Sequence, residues 1–79
     1  MATKAYLLID TAVGKTRDVE TKLKGLPGIT TVDVVTGPHD IIAVVSGEDM
    51  AVVGELVTGH IHNIIGIDKT ITCVAVGSQ

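Results

Sequence analysis

Leu23-Lys24-Gly25-Leu26-Pro27-Gly28-Ile29 and Ile61-His62-Asn63-Ile64-Ile65-Gly66-Ile67 share one pattern, apolar-x-x-apolar-x-Gly-Ile. Residue 61 stands where residue 23 stood, an offset of 38. Each copy follows a helix-like stretch and opens a β-rich run that closes on glycine, at Gly37 and at Gly77. Self-similarity at a fixed period marks two copies of one supersecondary unit. Working outward from the copies, each unit reads strand, helix, strand, so the chain reads βαββαβ. Such a chain builds one four-stranded sheet with both helices on one face. The opposite face of the sheet then needs a cover or a reason to be bare.

Upstream of the first copy, Ala5 to Thr11 reads as a strand. Its two faces, Ala5/Leu7/Ile9 and Tyr6/Leu8/Asp10, are both largely apolar, which predicts cover on both sides. Gly14 to Gly25 reads as a helix, with Val19, Leu23 and Leu26 at i, i+4 and i+7. Thr16 or Gly14 is placed to cap its start, Gly25 suits a left-handed C-terminal position, and Pro27-Gly28 forbids continuation. Ile29 to Thr36 is the second strand, rich in β-branched residues. Asp40 to Ser46 is the third, and the short connection through Gly37-Pro38 predicts an antiparallel hairpin.

Gly47 to about His60 is the second helix, with Val53, Leu56, Val57 and His60 as its buried stripe and Ser46 with Asp49 as a capping pair. Gly54 and Gly59 each cost about 1 kcal/mol against Ala in a helix interior. That cost predicts close backbone packing on the sheet, or, at Gly59, the end of the helix. Ile67 to Val76 is the last strand.

The 79 residues make one domain, 1–79, with no second unit. Hydrophobic residues are 46% of the chain and charged residues 19%, more apolar material than a small monomer hides. Strands one, three and four place apolar side chains on the uncovered face, so the expected cover is a second copy of the sheet in a two-fold dimer. Tyr6 is the only aromatic, the net charge is −3 and no Lys/Arg run occurs. Base stacking and an electrostatic footprint for nucleic acid are therefore missing. Cys73, the only cysteine, excludes an intrachain disulfide, and its strand-like neighbours predict a buried thiol. No signal-peptide pattern and no membrane-length apolar run is present, so a cytoplasmic location is expected.

Thr36-Gly37-Pro38-His39-Asp40 is the densest functional stretch. A Gly-Pro turn exposes backbone donors and acceptors beside His39 and Asp40, which suits the ammonium and carboxylate of a small zwitterion. A plain turn with Asp40 bonded to local backbone fits the same residues. Thr70 and Thr72 share one strand face by alternation. They either line a pocket or reflect β-propensity. His60, His62, His39 and Cys73 lack zinc-motif spacing, and residues two apart do not share a helix face, so no metal site is expected. Asp10, Asp33, Asp40 and Asp68 are scattered without a nucleophile motif. Gly14-Lys15-Thr16 resembles the end of a phosphate-binding loop, but Ile9 stands where that loop needs glycine. No catalytic residue and no cofactor is expected.

Ala5-Tyr6-Leu7-Leu8-Ile9, Gly14-Lys15, Leu26-Pro27-Gly28-Ile29, Thr36-Gly37-Pro38-His39-Asp40-Ile41-Ile42-Ala43 and Ile64-Ile65-Gly66-Ile67-Asp68-Lys69-Thr70-Ile71-Thr72, in this order, resemble the ligand-binding (RAM) domain of the Lrp/AsnC leucine-responsive/asparagine regulators. The resemblance covers nearly the whole chain and includes no helix-turn-helix part. It implies an α+β, ferredoxin-like fold, dimers closed through their sheets as a dimeric α+β barrel, and rings of dimers, often octamers. It also implies small amino-acid effectors bound between dimers, and helix-turn-helix family members as possible partners. Carried over by position, the effector loop falls on Gly37, Pro38, His39 and Asp40, and the last-strand threonines on Thr70 and Thr72. His39 stands where the family often has an aromatic. The expected function is non-enzymatic amino-acid sensing and oligomerisation that modulates transcription or amino-acid metabolism. The alternatives are a small monooxygenase-like enzyme on the same barrel, an oligomer with no ligand, and an ACT-type module with sheets side by side.

Overall fold

The computed structural model describes residues 2–76, so the expected close of the second β-rich run at Gly77 lies outside the described residues. The elements follow in the order β1 (Thr3–Thr11), α1 (Thr16–Lys24), β2 (Ile29–Val34), β3 (Ile41–Gly47), α2 (Met50–Leu56) with a wider π-helical turn over Val57–Ile61, and β4 (Ile67–Val74). The sheet order is β2-β3-β1-β4, and every neighbouring pair is antiparallel. This is the ferredoxin-like fold. Each strand-helix-strand unit leaves a gap one strand wide, and the first strand of the other unit fills it.

The repeated glycines hold the two units together. Gly28 has φ +87° and Gly66 φ +108°, a region that L side chains rarely adopt. A side chain would also crowd its neighbours. A Cβ on Gly66 would lie 3.0 Å from Lys15 Cβ and 3.0 Å from Val19 Cγ2, and one on Gly28 would lie 3.1 Å from Leu56 Cδ2. Each glycine thus sits beneath the other unit's helix. Each carbonyl is also bonded across the units: Ser46 N donates to Gly28 O at 2.9 Å and Ala12 N to Gly66 O at 2.8 Å.

The core is aliphatic and lies between the sheet and the helices. Ala5, Leu7 and Ile9 of β1 and Ile41, Ala43 and Val45 of β3 are fully buried there, as are Val19 and Leu23 of α1. Leu26 packs against this core from the turn after α1, completing the expected stripe. Lys22 and Lys24 in the last turn of α1 favour its dipole.

Several local expectations are corrected. No side chain caps α1: Lys15 holds the N-cap position, and the Thr16 hydroxyl bonds Thr11 instead. Gly25 has φ −87°, so α1 closes without a left-handed residue, and the positive φ falls on Gly28. Asp49 itself caps α2, its side chain accepting from Val52 N at 3.0 Å, so Ser46 is not part of the cap.

The buried stripe of α2 is Val53, Leu56, Val57 and Ile61, while His60 is exposed. His62 N donates to Val57 O, an i→i+5 bond that admits one more residue to the turn. The next inward position therefore falls on residue 61 rather than 60. The helix also runs through Gly59 rather than ending there. A Cβ on Gly54 or Gly59 would meet nothing within 4 Å, so neither glycine marks close packing on the sheet.

Away from the helices the sheet presents Tyr6 and Leu8 of β1, Ile42 and Val44 of β3, and Ile71 and Cys73 of β4. The face follows from the register, with Tyr6 opposite both Val44 and Cys73, and Leu8 opposite both Ile42 and Ile71. Cys73 is exposed, contrary to the expected buried thiol. It lies on an edge strand, pointing away from the helix layer. No helix of the described residues is long and apolar enough to cross a membrane.

Candidate functional site

The site forms where β1 ends. The connection from β2 to β3 folds back on itself and onto β1: Val35 N donates to Asp40 O at 2.9 Å, and Asp40 N donates to Ile9 O at 3.0 Å. The Asp40 carboxylate reaches further. Its Oδ2 accepts from Thr11 N at 2.9 Å and from Thr11 Oγ1 at 3.3 Å. Thr11 Oγ1 lies 2.7 Å from Thr16 Oγ1. An ionised carboxylate only accepts, so the hydroxyl of Thr11 donates to Asp40 and that of Thr16 to Thr11. This chain of bonds ties the loop, the end of β1 and the start of α1 together. Asp40 is therefore bonded to backbone 29 residues away, not to the local backbone of a plain turn.

His39 is tied down separately, its Nδ1 2.9 Å from Asp10 Oδ1. Both side chains stay partly open to solvent, at 22% and 33% of their surface, so their electrostatic attraction is modest. Gly37 and Pro38 are exposed at the tip, and a Cβ on Gly37 would meet nothing within 4 Å.

Thr70 and Thr72 approach from the other side of β1. Thr70 pairs with Ile9 and Thr72 with Leu7, so both hydroxyl-bearing residues share the helix-side face of β4. Helix cover stops short of this edge: Thr72 is exposed and Thr70 half-buried. The Oγ1 atom of Thr70 is nonetheless buried and has no hydrogen-bond partner among the described residues. The two stretches therefore flank the same residue, Ile9: Asp40 through its backbone N–H, Thr70 through the strand register.

On β4, just before Thr70, lies a feature that sequence reading missed. Asp10 pairs with Lys69 but Thr11 with Ile67, so Asp68 is an extra residue on β4, a bulge. Bulges re-aim side chains and recur beside functional sites. Asp68 lines a cavity of about 360 Å³ with His62, Ile67, Lys69 and Thr70. A bulge has no sequence period, and the only signal available was a charged pair, Asp68-Lys69, interrupting a β-rich run. A separate concavity of about 260 Å³ runs along α2 past Val52, Glu55, Leu56 and His60 to Pro27 and Gly28, and includes none of the expected site residues. The histidines and the cysteine do not converge. Among the described residues no group of three His, Cys, Asp or Glu side chains is placed to hold a metal.

With this fold and loop in view, the class of protein follows. The family model described as the Lrp/AsnC ligand binding domain matches residues 4–78, and the chain belongs to that family. Among solved structures it is similar to FFRP-DM1, at 31% identity and a TM-score of 0.89, over 94% of this chain and 99% of that one. It is similar as well to TTHA0845 from Thermus thermophilus, at 27% identity and a TM-score of 0.91, over 98% and 96% of the two chains. A third likeness, in fold alone, is to the transcriptional regulator NMB0573 from Neisseria meningitidis, solved as a complex with L-methionine. There the identity is 13% and the TM-score 0.84, over 94% of this chain and 49% of the regulator. No curated protein sequence matches the chain.

Proposed function

We propose that this chain is an amino-acid-sensing and assembly module. The observation that carries the reading is that the Gly37–Asp40 loop, through Asp40, and Thr70 of β4 flank Ile9 near the end of β1, in a chain of the Lrp/AsnC ligand-binding family. The effector would sit against Gly37, Pro38, His39, Asp40, Thr70 and Thr72. That a family-like regulator is solved with L-methionine supports an amino acid as the ligand class.

The apolar sheet face supports assembly. A patch of exposed Tyr6 and Ile71 with half-buried Leu8, Ile42 and Val44 is costly in water, and a second copy placed face to face covers it with the same residues from both sides. Dimers would then join into a ring such as an octamer, with effectors at the seams. An effector that binds one assembly more tightly than another shifts the population toward it. Output to genes would pass through mixed oligomers with helix-turn-helix members of the family. This chain, at net charge −3, would not contact nucleic acid itself. We read the module as non-enzymatic. The second reading is a purely structural oligomer, favoured by one observation: Asp40 and His39 already have partners within the chain.

Size-exclusion chromatography with light scattering, without ligand and with each of the twenty amino acids, tests both halves. A dimer-based assembly that one amino acid enlarges or dissociates is expected. Indifference to all twenty overturns the sensing half, and a monomer at micromolar concentration overturns the assembly half.

A further inference from the structure

We infer that Asp10 is a positioning residue of the effector site: it fixes the proton of the His39 imidazole on Nδ1 and leaves Nε2 as a hydrogen-bond acceptor for the effector's side chain. This rests on the reading of the chain as an amino-acid sensor. It narrows the ligand to an amino acid whose side chain carries an N–H or O–H donor.

His39 and Asp40 grip the end of β1 from opposite faces. Successive side chains of a strand point to opposite sides, so Asp10 shares the face of Tyr6 and Leu8 while Thr11 lies on the helix side. Asp40 reaches Thr11, which bonds Thr16 at the start of α1. His39 reaches Asp10 instead, with Nδ1 2.9 Å from Oδ1. An ionised carboxylate has no proton to give, so Nδ1 carries the hydrogen of that bond. A neutral imidazole holds one N–H, and the bond made by one nitrogen decides the state of the other. Nε2 is then a lone-pair acceptor. It is also within reach of a ligand. The His39 side chain keeps 22% of its surface open. Among the described residues Nε2 makes no hydrogen bond, and the only buried side-chain N or O without a partner is Thr70 Oγ1, so Nε2 is open to solvent. Both bonds of the Asp40 carboxylate fall on Oδ2. Its Oδ1 is left for the effector's ammonium, where charge on both partners makes the stronger bond. Nε2, on the other face of the strand end, is left for a donor on the effector's side chain.

Asp10→Asn separates holding the ring from setting its proton. The amide fills the same space and bonds Nδ1 in either tautomer, because it both accepts and donates. A purely structural Asp10 predicts no change in that variant. Nitrogen NMR of the histidine rings reads the tautomer on the full chain, at about pH 8, where a free imidazole is neutral. His39→Phe marks the His39 signals by their loss. The Nδ1–H tautomer is expected in wild type and a mixture in Asp10→Asn, and an Nε2–H ring in wild type overturns the proposal. Calorimetry on the same chains with each of the twenty amino acids reads the consequence. Wild type is expected to bind best an amino acid with a side-chain donor, ahead of its apolar counterpart (threonine over valine, asparagine over leucine, glutamine over methionine). Asp10→Asn is expected to lose about three- to tenfold for the donor-bearing member and to keep its affinity for the apolar one. Wild-type affinity in Asp10→Asn overturns the proposal, as does a tightest ligand with an apolar side chain. A loss shared equally by both members of a pair puts the ammonium on His39 and overturns it too. A wild-type chain that binds none of the twenty overturns the sensor reading and the effector role of Nε2 with it, while the ring spectrum still decides whether Asp10 sets the proton.

Discussion

Thr70 carries a cost that the isolated chain does not recover. Its Oγ1 is buried and unpartnered, and an unsatisfied buried hydroxyl typically costs about 1–3 kcal/mol. Valine has nearly the same shape without the hydroxyl. Thr70→Val is therefore expected to stabilise the ligand-free chain by about 1 kcal/mol in urea denaturation. A loss of stability would mean that the hydroxyl has a partner inside the fold. Gly66 makes the opposite case. A methyl there meets a positive φ, Lys15 and Val19 together, so Gly66→Ala is expected to cost about 2–4 kcal/mol. The importance of Gly28 and Gly66 was legible, because the repeat printed them twice. The partner of Asp40 was not legible: a bond between a side chain and a backbone group 29 residues away leaves no periodic trace.

Among the elements, α2 departs furthest from a regular helix. Its outer surface carries two glycines with open space where a side chain would go. Gly54→Ala is expected to raise stability by about 0.5–1 kcal/mol, read as an upward shift of the thermal midpoint by circular dichroism. The π-helical turn after Leu56 also explains why a stripe counted at 3.6 residues per turn assigned His60 to the core. The repeat had already aligned Ile61 with Leu23, and both are buried. Where period and repeat disagreed, the repeat was right, because it reflects packing that both units share. The four strands were legible from β-branched runs and glycine punctuation, to within a residue or two at their ends.

Across the whole molecule, one apolar surface remains without a cover, and Leu8 and Ile42 stand opposite each other at its centre. Its existence could be counted from alternating residues, whereas the exposure of Thr72 and Cys73 could not. The exposure of Thr72 depends on how far the helix layer reaches over an edge strand, whereas Cys73 lies on the opposite face of that strand, where no helix lies. Ile42→Asp is expected to convert a dimer into a folded monomer by light scattering, since Ile42 faces away from the helix-side core. A dimer that persists in that variant would place the contact elsewhere.

The pairing of β1 with β4 has a consequence for engineering. Ala75 N donates to Lys4 O at 2.8 Å, so the two far ends of the described chain run side by side. A circular permutant that joins them by a short linker and opens at Gly37-Pro38 would read β3-α2-β4-β1-α1-β2. That is the same strand-helix-strand unit twice, now in reversed order. Such a rewired chain is expected to rebuild the sheet and its apolar face while breaking the loop at residues 37–40, which separates self-association from ligand response in one molecule.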